Sequence, residues 1–114
     1  AEKTYSSKHL KQAEFLYDLF GNITKPKSLE RFIIEASSCL GQDTYDYLDK
    51  ILCPTLVVGG EQDMIVTGEA SVEMAERIPD CKLKMYKELG HGLYEETSEY
   101  VRDVIGFFTG ETAP

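Results

Sequence analysis

An aspartate and a histidine stand out by type and by place. Asp63 follows the apolar run Pro54-Thr55-Leu56-Val57-Val58-Gly59, and His91 follows a second strand-like run, between Gly90 and Gly92. Each falls just past the carboxyl end of a predicted strand, where open α/β sheets place their chemistry. A carboxylate beside an imidazole is a proton-transfer pair. The histidine accepts and returns a proton, while the acid fixes its tautomer and stabilises the imidazolium that forms. Such a pair serves a nucleophile, yet no Gly-x-Ser-x-Gly elbow occurs in the 114 residues.

The elements that must carry the pair follow from hydrophobic patterning. Leu56-Val57-Val58 is a continuous β-favouring run, which predicts a strand covered on both faces, as in a parallel sheet. Pro54 sits at its start, where a missing donor is tolerated. Thr67 or Gly68 opens a helix with Ala70, Met74, Ala75 and Ile78 inward, and Pro79 stops it. Glu69 and Glu73 lie near its amino end, favourable for the helix dipole. Cys81, Leu83 and Met85 then alternate with Lys82, Lys84 and Tyr86, which predicts a strand with one polar face. Residues 54 to 86 thus form a strand–helix–strand unit, for which parallel pairing is expected. The loops carrying Asp63 and His91 would emerge side by side. A final helix, about Thr97 to Phe108, places Val101, Val104, Ile105 and Phe108 on one side.

The first half reads as helical. Ser6 or Ser7 caps a helix with Leu10, Ala13, Tyr17 and Phe20 on one stripe, ended by Gly21-Asn22. Ser28 caps a second with Leu29, Phe32, Ile33, Ala36 and Leu40 at helical spacing, closed by Gly41. Asp43 begins a short third helix through Tyr47, Leu48 and Ile51. The apolar faces of the two longer helices must pack on something.

Composition narrows the function. The chain is long enough for one small domain with a modest core. It is 42% hydrophobic and 28% charged, ordinary for a globular protein. The formal net charge of −8, without a basic run, makes nucleic acid and anionic membrane surfaces poor partners. No apolar run reaches the roughly 18 residues of a membrane span. The amino terminus lacks the basic start and apolar stretch of a secretory signal. Cys39, Cys53 and Cys81 form neither a paired framework nor a metal spacing, so reduced thiols in a cytoplasmic protein are expected. No cofactor or metal is implied, because two histidines far apart in sequence make no ligand cluster.

The stretch Cys53-Pro54-Thr55-Leu56-Val57-Val58-Gly59-Gly60-Glu61-Gln62-Asp63, with Ala75-Glu76-Arg77-Ile78-Pro79 and Gly90-His91-Gly92, resembles the carboxy-terminal part of an α/β-hydrolase. In that family the triad runs nucleophile, acid, histidine along the chain. The resemblance implies that Asp63 is the acid after the seventh strand and His91 the base after the eighth. They lie 28 residues apart, with room for one helix and one strand. It also implies that residues 1–50 are the end of a helical lid and residues 51–110 the terminal strand–helix–strand–helix part of the core. The expected fold is therefore an incomplete α/β-hydrolase fold: a short parallel sheet of two strands packed with about five helices. The nucleophile elbow would lie before Ala1, since Ser37 and Ser38 fall inside a predicted helix. A complete enzyme would act on an ester, lactone or similar small carbonyl substrate, and the 114-residue chain alone would be inactive. Tyr5, Phe15, Tyr17 and Phe20 are candidate pocket residues.

Ordinary roles compete with each assignment. Asp favours turns by bonding its own backbone. Glu61, Glu95 and Glu96 read as solvated charges, His9 as an exposed helix residue, and Cys53 and Cys81 as small buried apolar residues. The glycines beside His91 read as freedom for a sharp turn. A non-catalytic binding module with a relic acid–histidine pair is the alternative. Self-association is a further expectation: a two-stranded sheet is marginal alone, and the unpaired strand edge would favour a homo-oligomer.

Overall fold

The computed structural model describes residues 4–13 and 28–110. Two parallel strands, β1 (Thr55–Gly60) and β2 (Cys81–Tyr86), form the sheet, in register from Thr55 opposite Cys81 to Gly60 opposite Tyr86. The strands start together because the Thr55 N–H donates to the Asp80 carbonyl at 2.8 Å. Helix α3 (Gly68–Arg77) connects them. Ile78, extended ahead of Pro79, closes that helix, since a residue before proline avoids helical geometry.

The core is small. Val57 from β1, Ile78 from the end of α3 and Leu48 are buried together, with Ile51, Ala75 and Cys81 packed against them. Burial of Leu48, Val57 and Ile78 contributes about 1.5–3 kcal/mol each. Leu48 comes from a 3-10 helix, Tyr45–Lys50, which stops short of Ile51; Asp43 precedes it and accepts from the Tyr45 N–H. Arg77 ties this segment to α3, with its guanidinium 4.5 Å from the Tyr45 ring centre and a 3.6 Å pairing to Asp46.

Two helices follow β2. Helix α4 (Leu93–Glu96) was not expected as a separate element; Thr97, extended at φ −144°, separates it from α5 (Glu99–Thr109). Gly110 ends α5 in the left-handed region, the one positive φ among the described residues. Helix α5 lies against the lysine side of β2. Tyr86 donates to Asp103 at 2.5 Å, and Lys84 pairs with the same carboxylate at 3.2 Å. The alternation predicted for β2 is not seen in its burial: Lys82, Leu83 and Lys84 are all exposed, and on the lysine and tyrosine side only Tyr86 is buried. Leu83, on the opposite face, is 40% exposed.

Other expectations need correction. Strand β1 is not covered on both faces among the described residues: Val57 is buried, whereas Leu56 and Val58 are half-buried over a groove of about 310 Å³ floored by Val104 and Phe107 of α5. Ser28 caps α2 (Leu29–Leu40) through the Arg31 N–H as expected, yet the helix buries none of its residues, and Leu40 is 89% exposed. Gly41 closes α2 in right-handed geometry. The first helix, α1, is described over residues 7–13, with Ser6 accepting from the His9 N–H. Tyr17, Phe20 and the Gly21-Asn22 stop lie outside the described residues, as does Phe15. Among the described residues no helix is long and apolar enough to cross a membrane.

Candidate active site

The parallel register fixes where the two loops begin. Beyond Gly60 and Tyr86 they are stitched together: the Glu61 N–H donates to the Tyr86 carbonyl at 3.0 Å and the Gln62 N–H to the Leu89 carbonyl at 2.9 Å. Only glycine permits this approach at position 60, since a Cβ there would lie 2.4 Å from the Leu89 oxygen. The Asp63 N–H then turns back to the Gly60 carbonyl at 3.2 Å.

Asp63 uses both carboxylate oxygens. Oδ1 accepts from the backbone of Ile65 at 2.7 Å and of Val66 at 3.0 Å. Oδ2 faces His91 Nδ1 at 2.8 Å. The side chain of Asp63 is only 10% exposed and that of His91 41%. Burial pushes the Asp63 carboxyl up, but the bonds from Val66, His91 and Ile65 outweigh it and hold the group below its ordinary value. The acid is therefore an ionised acceptor at neutral pH. Nδ1 of a neutral His91 must then be the donor, which leaves the lone pair on Nε2. That nitrogen has no hydrogen-bond partner among the described residues. The ordinary role of a turn aspartate and the pairing with histidine are thus performed by one side chain.

The His91 loop is braced from its other side. The Glu96 carboxylate accepts from Gly90 N at 3.1 Å, from Ser6 N at 3.1 and 3.2 Å, and from Ser6 Oγ. The Gly92 N–H donates to the Thr4 carbonyl at 2.6 Å, and the Tyr5 hydroxyl to Glu95. Neither Gly90 nor Gly92 has positive φ, so turn freedom is not what they supply. They supply close approach. A Cβ at position 90 would lie 2.9 Å from the backbone of residues 4–6, and one at position 92 would lie 2.3 Å from the Tyr5 ring. Glu96 is consequently not a solvated charge. It was missed in the sequence because its partner Ser6 lies 90 residues away.

Of the candidate pocket residues, Tyr5 reaches the site. A cavity of about 310 Å³ beside Asp63 is lined by Tyr5, Ser7, Glu61, Gln62 and Met64. His9 is half-buried and stacks on Tyr5 at 4.9 Å. Ser37 and Ser38 lie within α2, where the Ser38 hydroxyl donates to the Glu35 carbonyl. Cys53 is exposed and Cys81 half-buried. Among the described residues no group of three or more His, Cys, Asp or Glu side chains is placed to hold a metal.

Residues 29–98 match the model of a hydrolase family described as Serine aminopeptidase, S33, a span that includes β1, α3, β2, Asp63 and His91. The chain belongs to this hydrolase family. Its fold is that of the α/β-hydrolases: it superposes with a TM-score of 0.82 on MGS-M2, an α/β hydrolase enzyme from a Medee basin deep-sea metagenome library, at 19% identity over 98% of this chain. A second solved structure, described as an N-acyl homoserine lactone degrading enzyme, gives a TM-score of 0.67 at 23% identity over 91% of the chain. A curated relative, "Putative carbamate hydrolase RutD" from Caulobacter sp. (strain K31), is 35% identical over 72 residues, or 62% of this chain. This hydrolase chain spans 42% of each of the two solved structures and 27% of the curated relative.

Proposed function

We propose that this chain supplies the acid and the base of a hydrolytic triad, with Asp63 orienting His91. The observation that carries the proposal is the 2.8 Å contact between Asp63 Oδ2 and His91 Nδ1 at the sheet rim, with Nε2 left open. Nε2 takes the proton of a nucleophilic hydroxyl as that oxygen attacks a substrate carbonyl. It then gives the proton to the leaving group, and water repeats the cycle to release the acyl product. The substrate class is an ester, lactone or similar small carbonyl compound. The N-acyl homoserine lactone degrading enzyme and the relative described as a putative carbamate hydrolase support it. The nucleophile lies outside the 114 residues, which contain no elbow motif. Residues 1–50 act as the lid end: Tyr5 and Ser7 line the cavity beside Asp63, which supports that role. Exposed, unpaired Cys39 and Cys53 support a reducing compartment, the cytoplasm.

The test uses an activated ester, offered to this chain and to the chain extended by the upstream segment of its gene. Turnover only in the longer protein, lost in His91→Ala, is expected. Turnover by the 114-residue chain itself, also lost in His91→Ala, would refute the external nucleophile.

A second reading is self-association without catalysis. Among the described residues β1 pairs on one side only, and the groove beside Leu56 and Val58 borders Phe108, which is 80% exposed. Its occupant would be the β1 edge of a second copy. Sedimentation at micromolar concentration decides it: a monomer removes this reading.

A further inference from the structure

We propose that Glu96 is a positioning residue for His91, acting with residues 4–6 as a brace across the histidine loop. The inference rests on the reading of His91 as the base and adds the group that holds it in place. Two simpler roles fit poorly. Glu96 is not poised as a proton donor, because its oxygens already accept from Ser6 N, Ser6 Oγ and Gly90 N. Nor is it an exposed charge at the end of a helix, because it is half-buried and Ser6 is 3% exposed.

What Glu96 holds is the residue immediately before His91. The residue immediately after is held by the Gly92 N–H bond to the Thr4 carbonyl. The backbone on both sides of the imidazole is therefore anchored to residues 4–6, while Asp63 anchors the ring from the opposite side. With the Cα so fixed, two side-chain torsions remain, and one 2.8 Å bond sets them. Bonds from backbone N–H to an ionised carboxylate are among the stronger hydrogen bonds in a protein. Without the carboxylate, the N–H groups of Ser6 and Gly90 lose their acceptor and the loop is free to drift. Reacting groups displaced by about 1 Å lose on the order of 100-fold in rate.

The test reads the His91 ring directly in the 114-residue chain, labelled with 15N at histidine. The wild-type chain should show an Nδ1-bound proton on His91 protected from solvent exchange by Asp63. Its absence would overturn the proposed acid–base pair itself. With that proton present, Glu96→Ala should speed its exchange at least ten-fold, while amide exchange in β1 and β2 stays within two-fold. Unchanged exchange of the ring proton in Glu96→Ala would overturn the brace and leave the pair standing. Equal acceleration throughout β1 and β2 would overturn it too, as a general loss of stability. Should Glu96→Ala fail to fold, Glu96→Gln and Ser6→Ala decide. Glutamine keeps an acceptor oxygen and alanine at position 6 removes one donor, so both should give smaller, ring-specific accelerations. No acceleration in either would overturn the proposal.

Discussion

Asp63 and His91 meet at 2.8 Å, and the oxygen of Asp63 that does not touch the ring closes the acid's own turn onto Ile65 and Val66. The carboxylate is thus aimed by the loop it stabilises. Asp63→Ala removes an acceptor from three donors and should cost about 1–3 kcal/mol of stability, measured by urea unfolding. Asp63→Asn can keep the turn through its carbonyl oxygen, but it presents an amide to Nδ1. The His91 proton should then move to Nε2. In an extended protein with hydrolase activity, kcat should fall by roughly 10⁴ with the fold intact, as expected for a triad locked in the wrong tautomer. A ring that keeps its Nδ1 proton in this variant would contradict the assignment.

The acid also sets a pH window. Burial raises the Asp63 value, but the bonds from Val66, His91 and Ile65 bring it below the ordinary one. A carboxyl lower in the folded than in the unfolded state contributes stability above the unfolded value, roughly pH 3.9. That stability is lost as pH falls through the lower folded value. The stability difference between wild type and Asp63→Asn should therefore shrink as pH is lowered from 6 through the carboxylate range. A difference that stays constant on acidification would contradict the depressed value.

Tyr86 behaves in the opposite sense. Burial first, then its bond to Asp103, pushes the phenol far above its ordinary value. A group raised in the folded state contributes stability that is fully present below the unfolded value, roughly pH 10. It is lost as pH rises through the folded value. Tyr86 should give a late phase in an alkaline absorbance titration. Tyr86→Phe should remove that late phase and cost about 1 kcal/mol. A titration that Tyr86→Phe leaves without loss of a late phase would argue against the Tyr86–Asp103 bond.

Gly90→Ala and Gly92→Ala should behave differently despite equal chemistry. At position 90 the added methyl meets backbone atoms of Thr4, Tyr5 and Ser6, which cannot move alone. At position 92 it meets the Tyr5 ring, which can swing away at the expense of its hydroxyl bond to Glu95. Gly90→Ala should cost about 1–3 kcal/mol, as overpacking does, and Gly92→Ala less. Hydrogen exchange at the Gly92 N–H should accelerate in Gly90→Ala, because its acceptor Thr4 is displaced. Equal small costs at both positions would show that residues 4–6 do not press on the loop.

The positions of Asp63 and His91 were legible because each follows a strand whose pattern is local: a β-favouring run for Thr55–Gly60, alternation for Cys81–Tyr86. Caps were legible for the same reason, as with Ser28 and the Arg31 N–H. What the pattern could not show is which surface meets which. Alternation separated Lys82, Lys84 and Tyr86 from their neighbours, but did not show that Asp103 of α5 would meet Lys84 and Tyr86 on that side. The stripe of Leu29, Phe32 and Ile33 is periodic without being buried. Gly90 and Gly92 announced a special position, yet its reason, contact with residues 4–6, lies at the far end of the chain. Glu96 gave no local signal, because a glutamate among Glu95, Thr97 and Glu99 looks like any other charge.

The pairing of Gly60 with Tyr86 carries one more consequence. Asp63 and His91 each follow one of two adjacent strand tips, so their meeting is set by the pairing of the strands, although 28 residues separate them in sequence. Substitution at the exposed Glu73 and Glu76 of helix α3 should leave both tips in place. Change on that outer surface is in this way insulated from the rim.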